Sequence, residues 1–193
     1  MSEKTPIRKL TFEEITALRP TAEALRSKPR LPLVLMLDNI RSLYNVGSVF
    51  RTADGARVEK IVISGITGYP PRKEIDKTAL GATETVPWER IPDPITAIRQ
   101  YKKRGYQIVA LEHTNASVPY WDFPFTFPSL LILGNEVWGV SDEILPMVDA
   151  AVEIPMLGAK QSLNVSVACG VVVYHILNHY LKHSGEPGAQ LLK

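Results

Sequence analysis

A single cysteine, Cys169, in 193 residues rules out an internal disulfide framework. It lies within the apolar stretch "ACGVVVY", where it reads as a small core residue with no redox role. Long hydrophobic runs are also missing. The longest, "LPLVLML" and "ACGVVVY", fall well short of a membrane span, and the charged start "MSEKTPIRKL" has no signal-peptide core. The expected setting is therefore the cytoplasm, away from membranes. No G-x-x-x-x-G-K-[ST] loop, G-x-G-x-x-G turn, G-x-S-x-G elbow or paired CxxC is present, which argues against ATP hydrolysis, nicotinamide chemistry and serine hydrolysis. Repeats and low-complexity tracts are absent too.

What remains is an ordinary globular composition, 45% hydrophobic and 22% charged, at a length that favours one core. The net charge of +2 is unevenly spread. Residues 1–30 carry seven Lys or Arg (Lys4, Arg8, Lys9, Arg19, Arg26, Lys28, Arg30) against four Glu, whereas the rest carries fifteen basic against sixteen acidic residues. A basic extension at 1–30 is compatible with a polyanionic partner, although a short charged segment is more often just a solvated helix. The expected division is this extension, a folded domain over 31–185 and a tail over 186–193.

Apolar runs at 33–38, 60–65, 107–112, 129–134 and 150–155 read as strands, and their continuous Val, Ile and Leu content suits parallel strands covered on both faces. Helices are expected near 45–57, 73–80, 94–105 and 141–149, with a long one near 163–182. The β-α-β-α order predicts a doubly wound α/β domain. Proline-rich "GYPPRKE" and "SVPYWDFPFTFPS" supply loops.

In such a sheet, ligands bind beyond the carboxyl ends of the strands. Three of those ends, "ALEHTN", "LILGNEVWG" and "EIPMLGAKQSLN", turn into small or polar loops, and two hold a glycine where backbone must approach something closely. Each alone reads as an ordinary strand-to-helix turn. Together with "NVGSVFR" they suggest one composite site.

In "RSLYNVGSVFRTAD", Val46, Val49, Phe50 and Ala53 form a buried stripe that leaves Gly47, Arg51 and Asp54 on another side. Asn45 reads as the N-cap, Gly47 permits close approach, and Arg51 leans back over the first turn, whose free N–H groups suit an anion. The same residues also read as a plain cap with an exposed Arg51–Asp54 pair. Ser162 and Asn164 open the last helix in the same way, as caps or as site residues alongside Glu136. His175, His179 and His183 recur every four residues with no accompanying carboxylate or cysteine motif, so they read as complements to the helix dipole rather than as metal ligands.

"NVGSVFRTAD", "LILGNEVWGVSDEIL" and "IPMLGAKQSLNVSVACGVVVY" resemble, in order and spacing, the three motifs of the SpoU (TrmH-like) branch of the SPOUT RNA methyltransferases, and the resemblance covers about residues 31–182. It implies a parallel-sheet α/β knot, with the C-terminal part threaded into a trefoil, in a homodimer whose active site is completed across the interface. It also implies methylation of a ribose 2′-hydroxyl in tRNA or rRNA with S-adenosylmethionine as donor. By motif position, Asn45, Arg51, Glu136, Ser162 and Asn164 would be catalytic, and Leu111, Gly134, Ile154, Met156 and Leu163 would line the donor site, with no metal. Guanidinium groups stay charged in proteins, so Arg51 is read as a phosphate clamp that stabilises a developing alkoxide rather than as a resting base. An RNA-binding protein without turnover and a small-molecule methyltransferase are the competing expectations. Many relatives carry a separate RNA-recognition domain; this chain offers only its basic extension, leaving the RNA and nucleotide open.

Overall fold

The structure is a computed structural model that describes residues 7–18, 20–185 and 191. Lys4, Arg19, the side chain of Arg26 and most of the tail (186–190, 192 and 193) lie outside the described residues. The extension forms two short helices, α1 (Phe12–Ala17) and α2 (Ala22–Arg26). Strand β1 (Leu31–Asp38) leads to α3 (Leu43–Gly55), followed by β2 (Val58–Ser64), α4 (Lys73–Ala79), α5 (Ala82–Thr85) and β3 (Trp88–Arg90). Then come α6 (Pro94–Lys103), β4 (Gln107–Leu111), β5 (Val118–Pro119), β6 (Ser129–Leu133), β7 (Ala150–Glu153) and the long α7 (Val165–His183).

Seven strands form one all-parallel sheet in the order β3-β2-β1-β6-β4-β7-β5. Every residue of β1 except Pro32 is buried, as a central strand covered on both faces requires. Strand alternation sends Leu33, Leu35 and Leu37 to one face, where they pack with Val46, Phe50 and Ala53 of α3 and Cys169, Val172 and Ile176 of α7. Val34 and Met36 point to the other face, against Ala97, Ile98 and Tyr101 of α6. The α/β expectation holds, and Cys169 is a buried core thiol whose pKa burial pushes up to about 12.

Differences from the sequence reading have local causes. The segment 141–149 is not an α-helix but turns around a short 3-10 stretch, Leu145–Met147. Pro146 lacks the N–H that a helix would need there, and the Asp149 carboxylate instead accepts from the Ile108 N–H at 2.8 Å and from Lys102 Nζ at 2.8 Å. Strand β2 stops before Gly65, which sits at φ 60. The edge strands β3 and β5 and the four-residue α5 were not foreseen.

The extension is tied to the domain through arginines that would otherwise be free to meet a polyanion. Arg57 donates to the carbonyls of Leu25, Lys28 and Pro29, and Arg30 donates to those of Val58 (3.2 Å) and Thr85 (2.8 Å). Arg8 is engaged by Glu14.

Candidate active site

The carboxyl ends of β1, β4, β6 and β7 and the start of α7 surround one recess. Its organising group is the Glu136 carboxylate, just beyond β6. Oε2 accepts from the Arg41 N–H at 2.9 Å, while Oε1 accepts from the Ser42 N–H at 3.0 Å and from Asn45 Nδ2 at 2.9 Å. Asn45 Oδ1 in turn accepts from Asn164 Nδ2 at 3.1 Å, and Asn164 Oδ1 caps α7 through the Ser166 N–H at 2.9 Å. Three of the expected catalytic residues, from three separate stretches of chain, thus form one hydrogen-bonded line. Burial alone would raise the Glu136 carboxyl, but the Arg41 and Ser42 N–H groups and the Asn45 amide outweigh it and hold the group below the usual carboxylate range.

Asn45 is not the helix cap. Ser42 is, accepting from the Asn45 N–H at 3.3 Å through Oγ, and Asn45 sits in the first turn with its side chain free to join Glu136 to Asn164. The S-x-x-N spacing at the end of a strand carries this signal, read one turn too late.

Beside this line opens a cavity of about 980 Å3. All five expected donor-site residues, Leu111, Gly134, Ile154, Met156 and Leu163, line it, as do Glu136, Ser162 and Asn164. Its size and its mixture of apolar strand ends with polar loop groups fit a nucleoside-containing cofactor. Gly134 is also needed for packing: a Cβ there would lie 2.2 Å from Val140 N and from the Gly139 carbonyl carbon. The close neighbour is the returning limb of the hairpin 135–139, closed by reciprocal Asn135–Gly139 backbone bonds of 2.8 and 2.9 Å. Glu112 was not singled out individually. It pins this hairpin from the end of β4, accepting from the Val140 N–H at 2.8 Å and from the His113 N–H at 2.9 Å.

Arg51 is elsewhere. It lies six residues beyond Asn45, about 9 Å along the helix axis and on a different face. It opens into a second hollow of about 490 Å3 lined by Ser48, Arg51, Thr52, Lys77, Thr78 and Tyr174. Gly47 builds that hollow by letting α4 press onto α3, since a Cβ would come within 2.1 Å of Thr78 Oγ1 and 2.2 Å of the Ile75 carbonyl oxygen. The close approach read from the sequence is therefore helix to helix. The alternative Arg51–Asp54 pair does not form either; Asp54 accepts from Thr85 Oγ1.

Among the described residues no group of three or more acidic, histidine or cysteine side chains is placed to hold a metal. His175 and His179 pack edge-on or tilted against Tyr120, Phe125 and Phe127, while the His183 ring contacts the His179 carbonyl oxygen at 2.8 Å.

Residues 32–174 match the model of the SpoU rRNA Methylase family. The chain is 33% identical over 182 residues to a tRNA (guanosine(18)-2'-O)-methyltransferase of Thermus thermophilus, covering 94% of this chain and 88% of that one. Among solved structures, the Aquifex aeolicus TrmH/SpoU tRNA modifying enzyme superposes with a TM-score of 0.78 at 30% identity, covering 87% and 85% of the two chains. An AdoMet-bound rRNA methyltransferase from Sinorhizobium meliloti superposes with a TM-score of 0.72 at 29% identity, covering 79% of this chain and 57% of that longer one.

Proposed function

Because the chain belongs to the SpoU rRNA methylase family, we propose that it transfers the methyl group of S-adenosylmethionine to a ribose 2′-hydroxyl of tRNA or rRNA. The observation that carries this reading is the Glu136–Asn45–Asn164 line at the mouth of the large cavity. Bound among Leu111, Gly134, Ile154, Met156 and Leu163, the cofactor supplies an electrophilic methyl group. The chain's own residues do the rest. Glu136 fixes the Asn45 amide and the entry to α3, while Asn45 and Asn164 orient the ribose, with Ser162 beside them on the cavity wall. Excluding water from this recess strengthens each of those bonds.

Arg51 faces the second hollow rather than this line, and the cation that lines the large cavity is Lys160, on the loop before α7. The reading that brings Arg51 to the line is a homodimer in which Arg51 of one copy clamps the substrate phosphate over the cavity of the other. Supporting it, α7 presents an uncovered apolar stripe, Val167, Val171 and Tyr174 at 52%, 37% and 52% exposure, and Tyr174 borders the Arg51 hollow. We further read the chain from β7 into α7 as the threaded part of a trefoil knot, since β7 lies between β4 and β5 whereas α7 returns to pack on α3. The RNA is taken to be cytoplasmic.

Labelled-methyl transfer to unfractionated tRNA and rRNA tests the assignment. The product should be an alkali-resistant dinucleotide, as a 2′-O-methyl blocks cleavage. Label in alkali-sensitive nucleotides, or none in RNA, overturns it.

A further inference from the structure

The hollow between α3, α4 and α7 holds two cationic side chains, and Arg51 accounts for only one. Lys77 lines it from α4, its ammonium lying 5.8 Å from the centre of the Tyr44 ring. No carboxylate among the described residues lines the hollow. Among the described residues, Arg51 has no hydrogen-bond or ion-pair partner and Lys77 has only that ring contact. Two unneutralised cations facing one hollow repel each other, so the arrangement is suited to an anion that enters between them.

The hydroxyls around the hollow fall into two sets. Ser48 Oγ and Thr78 Oγ1 both donate to the Tyr44 carbonyl at 2.9 Å, which fixes the α3–α4 wall. Thr52 Oγ1 and Tyr174 Oη have no hydrogen-bond partner among the described residues. Gly55 allows Tyr174 to lie this close to α3, since a Cβ there would meet Tyr174 Oη at 2.7 Å. A guanidinium fork, an ammonium and two free hydroxyls around an open hollow match the oxygens of a phosphodiester.

We propose that this hollow is a two-cation phosphodiester site, in which Lys77 joins Arg51 in gripping the RNA backbone while Thr52 and Tyr174 donate to the remaining oxygens. The inference rests on the assignment of RNA as substrate and adds to it a residue, Lys77, that positions RNA without touching the reacting atoms. Lysine supplies charge at a distance from the ribose, whereas Arg51 supplies the directed fork.

The test measures binding of unfractionated tRNA to the full chain without S-adenosylmethionine, across a salt series, for wild type, Lys77→Gln, Lys77→Arg and Tyr174→Phe. Lys77→Gln should weaken binding roughly tenfold, as expected for one charge-assisted contact, and should reduce the slope of log affinity against log salt by about one. Lys77→Arg should restore both, and Tyr174→Phe should weaken binding without altering the slope. Affinity for S-adenosylmethionine should be the same in all four proteins, which separates a lost contact from a lost fold. An unchanged tRNA affinity and salt slope in Lys77→Gln overturns the proposal. Methyl transfer by the wild type is scored independently, so failure of the enzymatic assignment and failure of the Lys77 site are distinguishable.

Discussion

Glu136 accepts the Asn45 side-chain amide at 2.9 Å, joining the end of one central strand to the helix that follows another. Because the same carboxylate also takes the Arg41 and Ser42 N–H groups, Glu136→Gln should loosen the start of α3 as well as the site. Each weakened bond is worth roughly 0.5–1.5 kcal/mol, at the low end here because solvent competes. The folded-state pKa of Glu136 is lowered. Its contribution is therefore complete above the unfolded carboxyl range and is lost as pH falls through the folded value. Thermal melting from pH 7 to pH 3 should show a shallower acid limb in Glu136→Gln than in wild type.

Gly47→Ala forces a methyl group into Thr78 and the Ile75 carbonyl. Overpacking of this kind costs about 1–3 kcal/mol, which for a chain of this size lowers Tm by roughly 2–4 °C per kcal/mol. Prising α4 from α3 also widens the Arg51 hollow. Calorimetry should find S-adenosylmethionine affinity retained while tRNA affinity falls.

Gly139→Ala should do the reverse. Gly139 sits at φ 71, and a Cβ there would lie 2.1 Å from Glu112 Oε2. The left-handed backbone costs about 1–3 kcal/mol for a residue with a side chain. Displacing Glu112 frees the Val140 N–H and lets the hairpin drift from the cavity. Donor affinity should drop about tenfold or more, the equivalent of at least 1.4 kcal/mol.

The histidines of α7 give the fold a second, milder pH dependence. Burial lowers the pKa of His175, helped by the His179 and Lys182 charges, and burial with the His183 charge lowers that of His179. The unfolded state thus takes up protons first as pH falls below about 6.5. Stability is full above that value and declines toward the lowered folded values, before the carboxylates titrate. His179→Phe, which keeps the contacts with Phe125 and Phe127, should flatten Tm between pH 7.5 and pH 5.

The five long strands were legible because continuous apolar runs have no other use in a parallel sheet. The edge strands Trp88–Arg90 and Val118–Pro119 are too short to carry a period. Residues 141–149 looked helical until Pro146 is weighed against the bonds that Asp149 makes instead. In the site, Asn45, Glu136 and Asn164 were readable as polar residues where apolar elements stop. Gly47 and Gly134 were rightly marked as close approaches, but what approaches is Thr78 and the Ile75 carbonyl in one case and the hairpin backbone in the other, which only the fold can show. Lys77 and Tyr174 carried no signal, since their meeting with Arg51 depends on how α4 and α7 pack against α3.

The most direct test of the composite site is a mixed dimer, made by co-expressing Arg51→Ala and Asn164→Ala chains with different tags and purifying the doubly tagged species. If the donor cavity of one chain works with Arg51 of the other, one of the two sites contains only wild-type residues. The mixed dimer should then transfer methyl groups to RNA at about half the wild-type rate, while each parent homodimer is inactive. A mixed dimer as inactive as its parents would contradict the account, because Arg51 would then serve the cavity of its own chain.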